Sequence, residues 1–285
     1  MKKKTVAIAG ASGMVGTYLS SYLQSYEILK IYRQDFNLEI GEFVEKYRKA
    51  DVILNLAGAP VSRRWTKRYK KEILSSRINS TRKLGSIIKN DPVRERLYIS
   101  ASAIGIYNDN EEHTERSMKF GNGFIKEVVH AWEQEVYKLR SEGTRICILR
   151  TGVVLSNTGG MLARLLPIFK LGLGARIGKG EQYLSWIHIE DLARAVDFII
   201  AGEHTGIYNL TAPGYCTNRE FTKRLASSLK RPALLAIPKF VFKIVYGQGT
   251  EVITGGQAVV PQRLIKEGFI FKYPELEVAL ADIVN

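Results

Sequence analysis

The sequence predicts an α/β fold, a doubly wound parallel sheet with a smaller C-terminal α+β part. Two observations predict it. Short apolar runs alternate with amphipathic helical segments over roughly the first 150 residues, and a glycine-rich turn joins the first run to the first helical segment. Right-handed crossovers then place helices on both faces of the sheet.

Each element rests on its own periodicity. Residues 5–9 form a continuous apolar run of the kind buried in parallel sheets. Residues 66–90 carry Ile73, Leu84 and Ile88 along one face, which is typical of a long amphipathic helix. The predicted elements are, in order, strand 5–9, helix 14–23, strand 28–32, helix 39–50, strand 51–57, helix 66–90, strand 97–101, helix 123–141, strand 145–150, helix 189–201 and helix 218–229.

The alternation weakens after residue 150, where glycines crowd residues 159–180. Pro232 and Pro238 mark the entry to a C-terminal stretch. We therefore divide the chain into a larger domain, 1–231, with substrate-pocket segments after residue 150, and a small C-terminal domain, 232–285.

The composition excludes several classes of protein. Only two cysteines occur, Cys147 and Cys216, which excludes a disulfide framework and suits a reducing compartment, so we expect a cytoplasmic protein. No cluster has metal-ligand spacing, so we predict no metal. No apolar run reaches the roughly 18 residues that a membrane span needs, and we expect no membrane partner.

The glycine-rich turn reads Gly10-Ala-Ser-Gly13-Met-Val-Gly16, with Ser12, Met14 and Val15 between the glycines. Gly10 permits a tight turn, Gly13 lets a pyrophosphate approach the backbone, and Gly16 lets the helix pack on the sheet. The helix N-terminus offers free N–H groups to phosphates. This pattern at the start of a βαβ unit predicts that domain 1–231 is a Rossmann-like NAD(P)-binding domain.

The end of the second strand distinguishes the two dinucleotides. An acidic residue there binds the ribose hydroxyls of NAD, whereas an arginine accommodates the 2′-phosphate of NADP. Arg33 comes first in Ile31-Tyr32-Arg33-Gln34-Asp35. We therefore predict NADP, and Asp35 keeps NAD as the alternative.

Many further segments resemble the extended short-chain dehydrogenase/reductase superfamily, and within it one atypical subgroup. The matching segments are Leu56-Ala-Gly-Ala-Pro60, Arg64-Trp-Thr66, Ser76-Arg-Ile78, Ser100-Ala-Ser-Ala103, Trp132-Glu133, Gly159-Gly160, Ser185-Trp-Ile-His-Ile-Glu-Asp191, Asn209-Leu-Thr-Ala-Pro213, Gln257 and Gly268-Phe. Members of this subgroup are described as nucleoside-diphosphate-sugar epimerases, some carry the label of cell-division inhibitor, and they end in a small domain of unknown function.

The resemblance implies further site residues. It implies cofactor contacts from Leu56, Ala57, Gly58 and Ser100, and it places Arg150 beside the nicotinamide end. Related folds often dimerise through helices, so a homodimer is one expectation.

The resemblance also exposes a departure. The superfamily uses a tyrosine and a lysine four residues later for proton transfer, whereas Phe124 and Val128 stand at these positions. Lys126 is expected on nearly the opposite side of the helix. Ser102, with Ser100 as the alternative if the alignment slips, is the candidate catalytic serine, and Tyr107 is a second catalytic candidate.

A substrate pocket is predicted from the second half of the chain. Gln182, Trp186 and His188 are its candidate residues, because indole and imidazole groups can bond a ligand. His188 could instead be a structural histidine that orders the loop before Glu190.

The net charge of +14 is concentrated in one segment. Residues 61–90 hold ten Lys or Arg residues and one acid, Glu72. A solvated face, or a wall that attracts a small anionic substrate such as a sugar nucleotide, accounts for them better than a nucleic-acid surface does. Three hypotheses follow: an NADP-dependent nucleotide-sugar epimerase or reductase-like enzyme, a non-catalytic NADP-binding sensor or regulatory protein, and a nucleic-acid-binding module.

Overall fold

The computed structural model describes residues 3–92, 94–109, 111–141 and 143–284. The strands are β1 Thr5–Ala9, β2 Glu27–Ile31, β3 Val52–Asn55, β4 Arg96–Ala103, β5 Glu112–His113, β6 Thr144–Thr151, β7 Val153–Leu155, β8 Ala175–Ile177, β9 Tyr183–Leu184, β10 Trp186–His188, β11 Gly206–Leu210, β12 Cys216–Thr217, β13 Leu235–Ile237 and β14 Ala258–Val259. The helices are α1 Met14–Tyr22, α2 Ile40–Tyr47, α3 Lys67–Asn90, α4 Phe124–Tyr137, α5 Gly160–Lys170, α6 Ile189–Ala201, α7 Asn218–Ser228, α8 Lys239–Tyr246, α9 Thr250–Thr254, α10 Gln262–Lys266 and α11 Leu276–Val284. Short 3-10 helices lie at Arg33–Asn37 and Ile104–Ile106.

The central sheet has six parallel strands in the order β11-β6-β4-β3-β1-β2. The chain leaves β1 toward β2 on one side and then crosses to β3 on the other. This reversal makes a crevice outside the carboxyl ends of β1 and β3, where such sheets bind their ligands.

Helices cover both faces of the sheet, because successive residues of each buried strand point to opposite sides. Val6 and Ile8 of β1 pack in a cluster with residues of α1 and α6. Ala7 and Ala9 pack in a second cluster, with residues of α2, α3 and α4. The doubly wound α/β fold is thus confirmed.

The predicted element bounds need small corrections. Helix α3 starts at Lys67 because the Thr66 hydroxyl accepts a hydrogen bond from the Tyr69 amide and caps the helix. Strands β4 and β6 each run eight residues and are longer than predicted. Helix α5 and strand β11 were not predicted.

The C-terminal stretch is interleaved with the segment before it. Strand β13 pairs with β8, and β14 pairs with β5. Residues of α11 share a third buried cluster with residues of α5 and α7. The domain boundary at residues 231–232 stays a prediction. None of the helices in the described ranges is long and apolar enough to cross a membrane.

Candidate functional site

Two glycines of the turn between β1 and α1 are fixed by close backbone contacts. Gly10 has φ +80°, and a Cβ there would lie 2.9 Å from the carbonyl carbon of Leu56. A Cβ on Gly16 would lie 2.3 Å from the carbonyl oxygen of Gly10. Gly13 is exposed and lies at the N-cap of α1, with no side chain capping the helix. The first-turn amides of α1 therefore remain available for a phosphate, which fits a dinucleotide.

The other residues of this turn have different surroundings. Ser12 is exposed, whereas Val15 is half-buried and lines a cavity that extends from this turn toward the C-terminal part of the chain. Met14 packs so closely against Gly159 that a Cβ there would lie 3.0 Å from the Met14 sulfur. This contact accounts for glycine at position 159.

After the end of β2, the arginine is exposed and the acidic residue is buried. Arg33 is exposed, whereas Asp35 is buried and accepts hydrogen bonds of 2.7 Å from the Tyr32 amide and from Lys46 Nζ. Burial alone would raise the pKa of Asp35, but the bonds from Lys46 and Tyr32 hold it below its usual range. The Asp35 carboxylate is therefore engaged within the protein.

The loop after β3 contacts a half-buried arginine, Arg77, that the sequence did not single out. Leu56 lines the cavity, and the Ala57 amide donates to Asn55 Oδ1 at 3.1 Å. A Cβ on Gly58 would lie 3.1 Å from the guanidinium carbon of Arg77, which also lines the cavity. Burial lowers the pKa of Arg77 to about 10. The only signal for it in the sequence was the segment Ser76-Arg-Ile78.

The main cavity has a volume of about 470 Å³ and runs from the glycine turn to the C-terminal part. Val15 and Leu56 contribute to its wall beside the glycine turn, and Glu251 and Gln257 contribute from the C-terminal part. Ser102, near the carboxyl end of β4, also lines it. One cavity thus joins the predicted cofactor site to residues distant in the chain.

Ser102 is hydrogen-bonded to a buried ion pair. Its hydroxyl donates to Glu133 Oε1 at 2.6 Å. Arg150 donates to both oxygens of Glu133, from Nε at 2.8 Å and from Nη2 at 2.6 Å. Because Ser102 gives its proton to Glu133, its oxygen lone pairs remain to accept a hydrogen bond from a ligand hydroxyl.

The same network includes two residues that were predicted from the sequence, Arg150 and Tyr107. Arg150 is buried and also donates to the Tyr107 hydroxyl at 2.9 Å, so its guanidinium is held inside the protein and is not beside the cavity.

Tyr107 is wholly buried, stacks on His113 with ring centroids 4.7 Å apart, and donates to Asn209 Oδ1 at 3.0 Å. Burial raises the pKa of Tyr107. Tyr107 and Ser100 are not among the residues that line the cavity; Ser100 is buried and donates to the Ala101 carbonyl. Their roles in catalysis or cofactor binding stay predictions.

The three predicted substrate residues are not among those that line the cavity. Trp186 is buried in the third core cluster. His188 Nδ1 accepts from the Glu190 amide at 3.2 Å at the start of α6, and burial lowers the pKa of His188. Gln182 donates to the Ile177 carbonyl. The cavity is lined instead by the three residues between Gln182 and Trp186 in the sequence, which are Tyr183, Leu184 and Ser185.

Charged and amide side chains gather at the C-terminal end of the cavity. Gln257 Nε2 donates to Asp109 Oδ1 at 2.6 Å, and Lys126 Nζ lies 3.9 Å from the same carboxylate oxygen. Glu251 Oε1 is buried against Gly123 and has no hydrogen-bond partner among the residues that the structure describes. This end therefore holds an unpartnered carboxyl oxygen. Its residues are far apart in the sequence, so no motif could have grouped them.

The other ionisable groups are not arranged for metal binding. Within the described ranges, no group of three or more His, Cys, Asp or Glu residues could hold a metal ion. Burial raises the pKa of the Cys147 and Cys216 thiols to about 12, so both remain protonated.

Sequence comparison identifies both parts of the chain. Residues 6–211 match the NAD dependent epimerase/dehydratase family, and residues 237–283 match a domain of unknown function, DUF1731. The chain belongs to the NAD dependent epimerase/dehydratase family. The resemblance found in the sequence is thereby confirmed.

Members of the epimerase/dehydratase family match the chain over nearly its full length. Epimerase family protein Mb2239 of Mycobacterium bovis is 35% identical over 98% of this chain and 97% of its own. The mouse epimerase family protein SDR39U1 is 34% identical over 98% of this chain and 99% of its own. The crystal structure of human SDR39U1 with NADPH is 30% identical, covers 98% of each chain and superposes with a TM-score of 0.88.

For a member of the epimerase/dehydratase family, helix α4 has an unusual inner face. Phe124 packs edge-on against Trp65, with centroids 5.2 Å apart, and does not line the cavity. Val128 lines it, as does the pair Ile125 and Val129, which has the same four-residue spacing. The tyrosine and lysine positions of the superfamily align either with Phe124 and Val128 or with Ile125 and Val129. In both alignments the two positions hold apolar residues. Lys126 does reach the cavity, contrary to expectation, because its long side chain lies along Gly121.

Proposed function

We propose that this protein is an NADP(H)-dependent enzyme of the epimerase or reductase type, acting on a hydroxyl-bearing anionic substrate such as a sugar nucleotide. One observation carries the proposal: Ser102, bonded to a buried carboxylate, lines a cavity that also reaches the glycine turn. When bound, the nicotinamide would accept or donate the hydride. The protein must bind and orient the substrate and move its proton.

The choice of NADP is supported by the end of β2 and by a relative. Arg33 is exposed for a 2′-phosphate, whereas Asp35 is held by Lys46 and the Tyr32 amide. Human SDR39U1, 30% identical to this chain, was crystallised with NADPH. NAD remains the alternative that the binding experiment must exclude.

The first prediction concerns this preference. Arg33→Glu should weaken NADPH binding at least about tenfold, because it replaces a charge-assisted bond to phosphate with repulsion. NADH binding should change much less. Fluorescence titration with both cofactors measures the two effects. Lys30→Glu, an equal charge change at an exposed position of β2, is the matched control. A wild-type protein without preference, or a preference retained in Arg33→Glu, would contradict the proposal.

The proposed proton path replaces the missing tyrosine and lysine. The substrate hydroxyl would donate to Ser102 Oγ, and the serine proton would pass to Glu133 as hydride leaves the substrate carbon. Arg150 holds Glu133 in position through two hydrogen bonds. Arg77 provides positive charge in the same wall for an anionic substrate or a phosphate.

The indole N–H of Trp132 is in a position to donate a hydrogen bond to a polar ligand in the cavity. It lies in the cavity wall 5.2 Å from the Arg77 guanidinium, and its N–H is buried without an acceptor. A buried donor without a partner costs about 1–3 kcal/mol, which a ligand oxygen or an ordered water would recover.

The second prediction tests the catalytic serine. Ser102→Ala should slow turnover by about 10²- to 10⁴-fold, the usual contribution of positioned acid–base catalysis, and leave NADPH affinity unchanged. Cofactor absorbance across a panel of sugar nucleotides measures the rate. The control is Ser100→Ala, on the same strand but bonded to a backbone carbonyl. Equal losses in both variants would indicate a structural effect and refute the serine's role.

A non-catalytic NADP-binding sensor is the second candidate, because α4 presents apolar residues where the family places its acid–base pair. Tight NADPH binding with no turnover across the panel would favour the sensor. The nucleic-acid module gains little support, since Arg77 lies in the cavity wall and Arg82 is bonded to Glu135.

A further inference from the structure

One surface of the protein exposes apolar side chains from three adjacent elements: the end of α5 with the turn after it, β13, and α8. Strand β13 pairs with β8, which follows that turn, and leads directly into α8, so the three elements are neighbours. Leu234 is 88% exposed and Leu171 is 75% exposed. The exposed residues of this apolar face are Ile168, Leu171, Leu173, Leu234, Leu235, Phe240, Val241, Ile244 and Val245.

Helix α8 has the pattern of a helix that lies at an interface. None of its residues is buried. Phe240 and Ile244, spaced by one turn, are 63% and 66% exposed. The lysines Lys239 and Lys243 form a parallel exposed row beside them. Apolar residues flanked by lysines in this way are typical of helices that lie in the surface of an anionic membrane.

The segments that build the apolar face contain no acid. Residues 168–180 hold three Lys or Arg residues and residues 230–246 hold four, with no Asp or Glu in either range. This charge is separate from that of residues 61–90. An exposed apolar patch of this kind marks an interaction site, and the positive charge beside it favours an anionic partner.

A second copy of the chain fits this face poorly. A two-fold contact would bring the same surface of each copy together, so Lys239 and Lys243 of one copy would face basic residues of the other. An anionic bilayer accepts apolar side chains below its headgroups and attracts lysines at the headgroup level. The sequence predicts no membrane partner, because no apolar run is long enough to span a bilayer. We propose instead that the apolar face docks this protein on an anionic lipid surface, without crossing it.

Vesicle flotation with the full chain tests the proposal. The protein should float with vesicles of phosphatidylcholine mixed with phosphatidylglycerol, and not with vesicles of phosphatidylcholine alone. The double variant Phe240→Ser/Ile244→Ser should bind the anionic vesicles at least about tenfold more weakly. Ile270→Ser, at a side chain that is 77% exposed but outside the three elements, should bind like wild type. Lys239→Gln/Lys243→Gln should also weaken binding and reduce its dependence on salt.

Several results would overturn the proposal. Failure of the wild type to bind anionic vesicles would do so, as would equal binding by the Phe240→Ser/Ile244→Ser variant. A wild-type dimer that this variant converts to a monomer would assign the face to a second copy. Binding to polyglutamate but not to vesicles would assign it to an acidic protein. Circular dichroism and NADPH titration establish that each variant is folded.

Discussion

Replacing Gly16 with alanine is expected to lower the free energy of unfolding by at least about 3 kcal/mol, the upper end of the usual cost of overpacking a tight site. The added Cβ would lie 2.3 Å from the Gly10 carbonyl oxygen and 2.8 Å from the Ala11 Cα. Both atoms belong to the backbone of the glycine turn, so neither can rotate away. Urea unfolding followed by circular dichroism measures the change.

Two other glycines serve as controls for this prediction. Gly41 lies in α2 with open space around it, so Gly41→Ala should stabilise the protein by about 0.5–1 kcal/mol. A Cβ on Gly13 would lie 3.4 Å from the Gly10 oxygen, an ordinary contact, so Gly13→Ala should fold but bind NADPH more weakly. A Gly16→Ala protein with wild-type stability would refute the packing argument.

Removing either partner of the Glu133–Arg150 pair is expected to cost about 3–5 kcal/mol of stability, because the remaining charge stays buried without its counterion. Both side chains are less than a tenth exposed. The variants are Glu133→Leu and Arg150→Met. The double variant should cost clearly less than the sum of the two, since it leaves neither charge buried alone.

The neighbouring ion pair provides the control for this cycle. Arg82 is bonded to Glu135, on the same helix as Glu133, but its side chain is 61% exposed. Arg82→Gln should therefore change stability by less than about 1 kcal/mol. Strictly additive losses at Glu133 and Arg150 would show that the two residues do not act as a pair.

The fold could be predicted because its signals are local. The run 5–9, the glycine turn and the periodicity of 66–90 each indicate an element without knowledge of the rest. Helix α5 was missed because it follows Gly159 and starts at a glycine, and Pro167 lies inside it. Strand β11 begins at Gly206, whose φ is +85°, and its five residues do not alternate between apolar and polar.

The site could be predicted only where it follows a motif. The position of Ser102 in the cavity wall could be predicted in this way, because the residue directly follows the predicted strand 97–101, whereas its catalytic role stays a proposal. Trp186 was predicted to line the pocket, whereas its indole packs in the third buried cluster, because a sequence does not distinguish a pocket indole from a core indole. Glu251 could not be found at all, because only the tertiary fold brings it to the cavity.

A chain emerges from the ribosome N-terminus first, so the late position of Glu251 and Gln257 in the sequence determines when the cavity can be completed during synthesis. The glycine turn and all six strands of the central sheet have been made once residue 210 is added. The residues that close the far end of the cavity are made afterwards. A nascent chain can therefore complete the glycine turn and the central sheet before it has the residues that line the far end of the cavity.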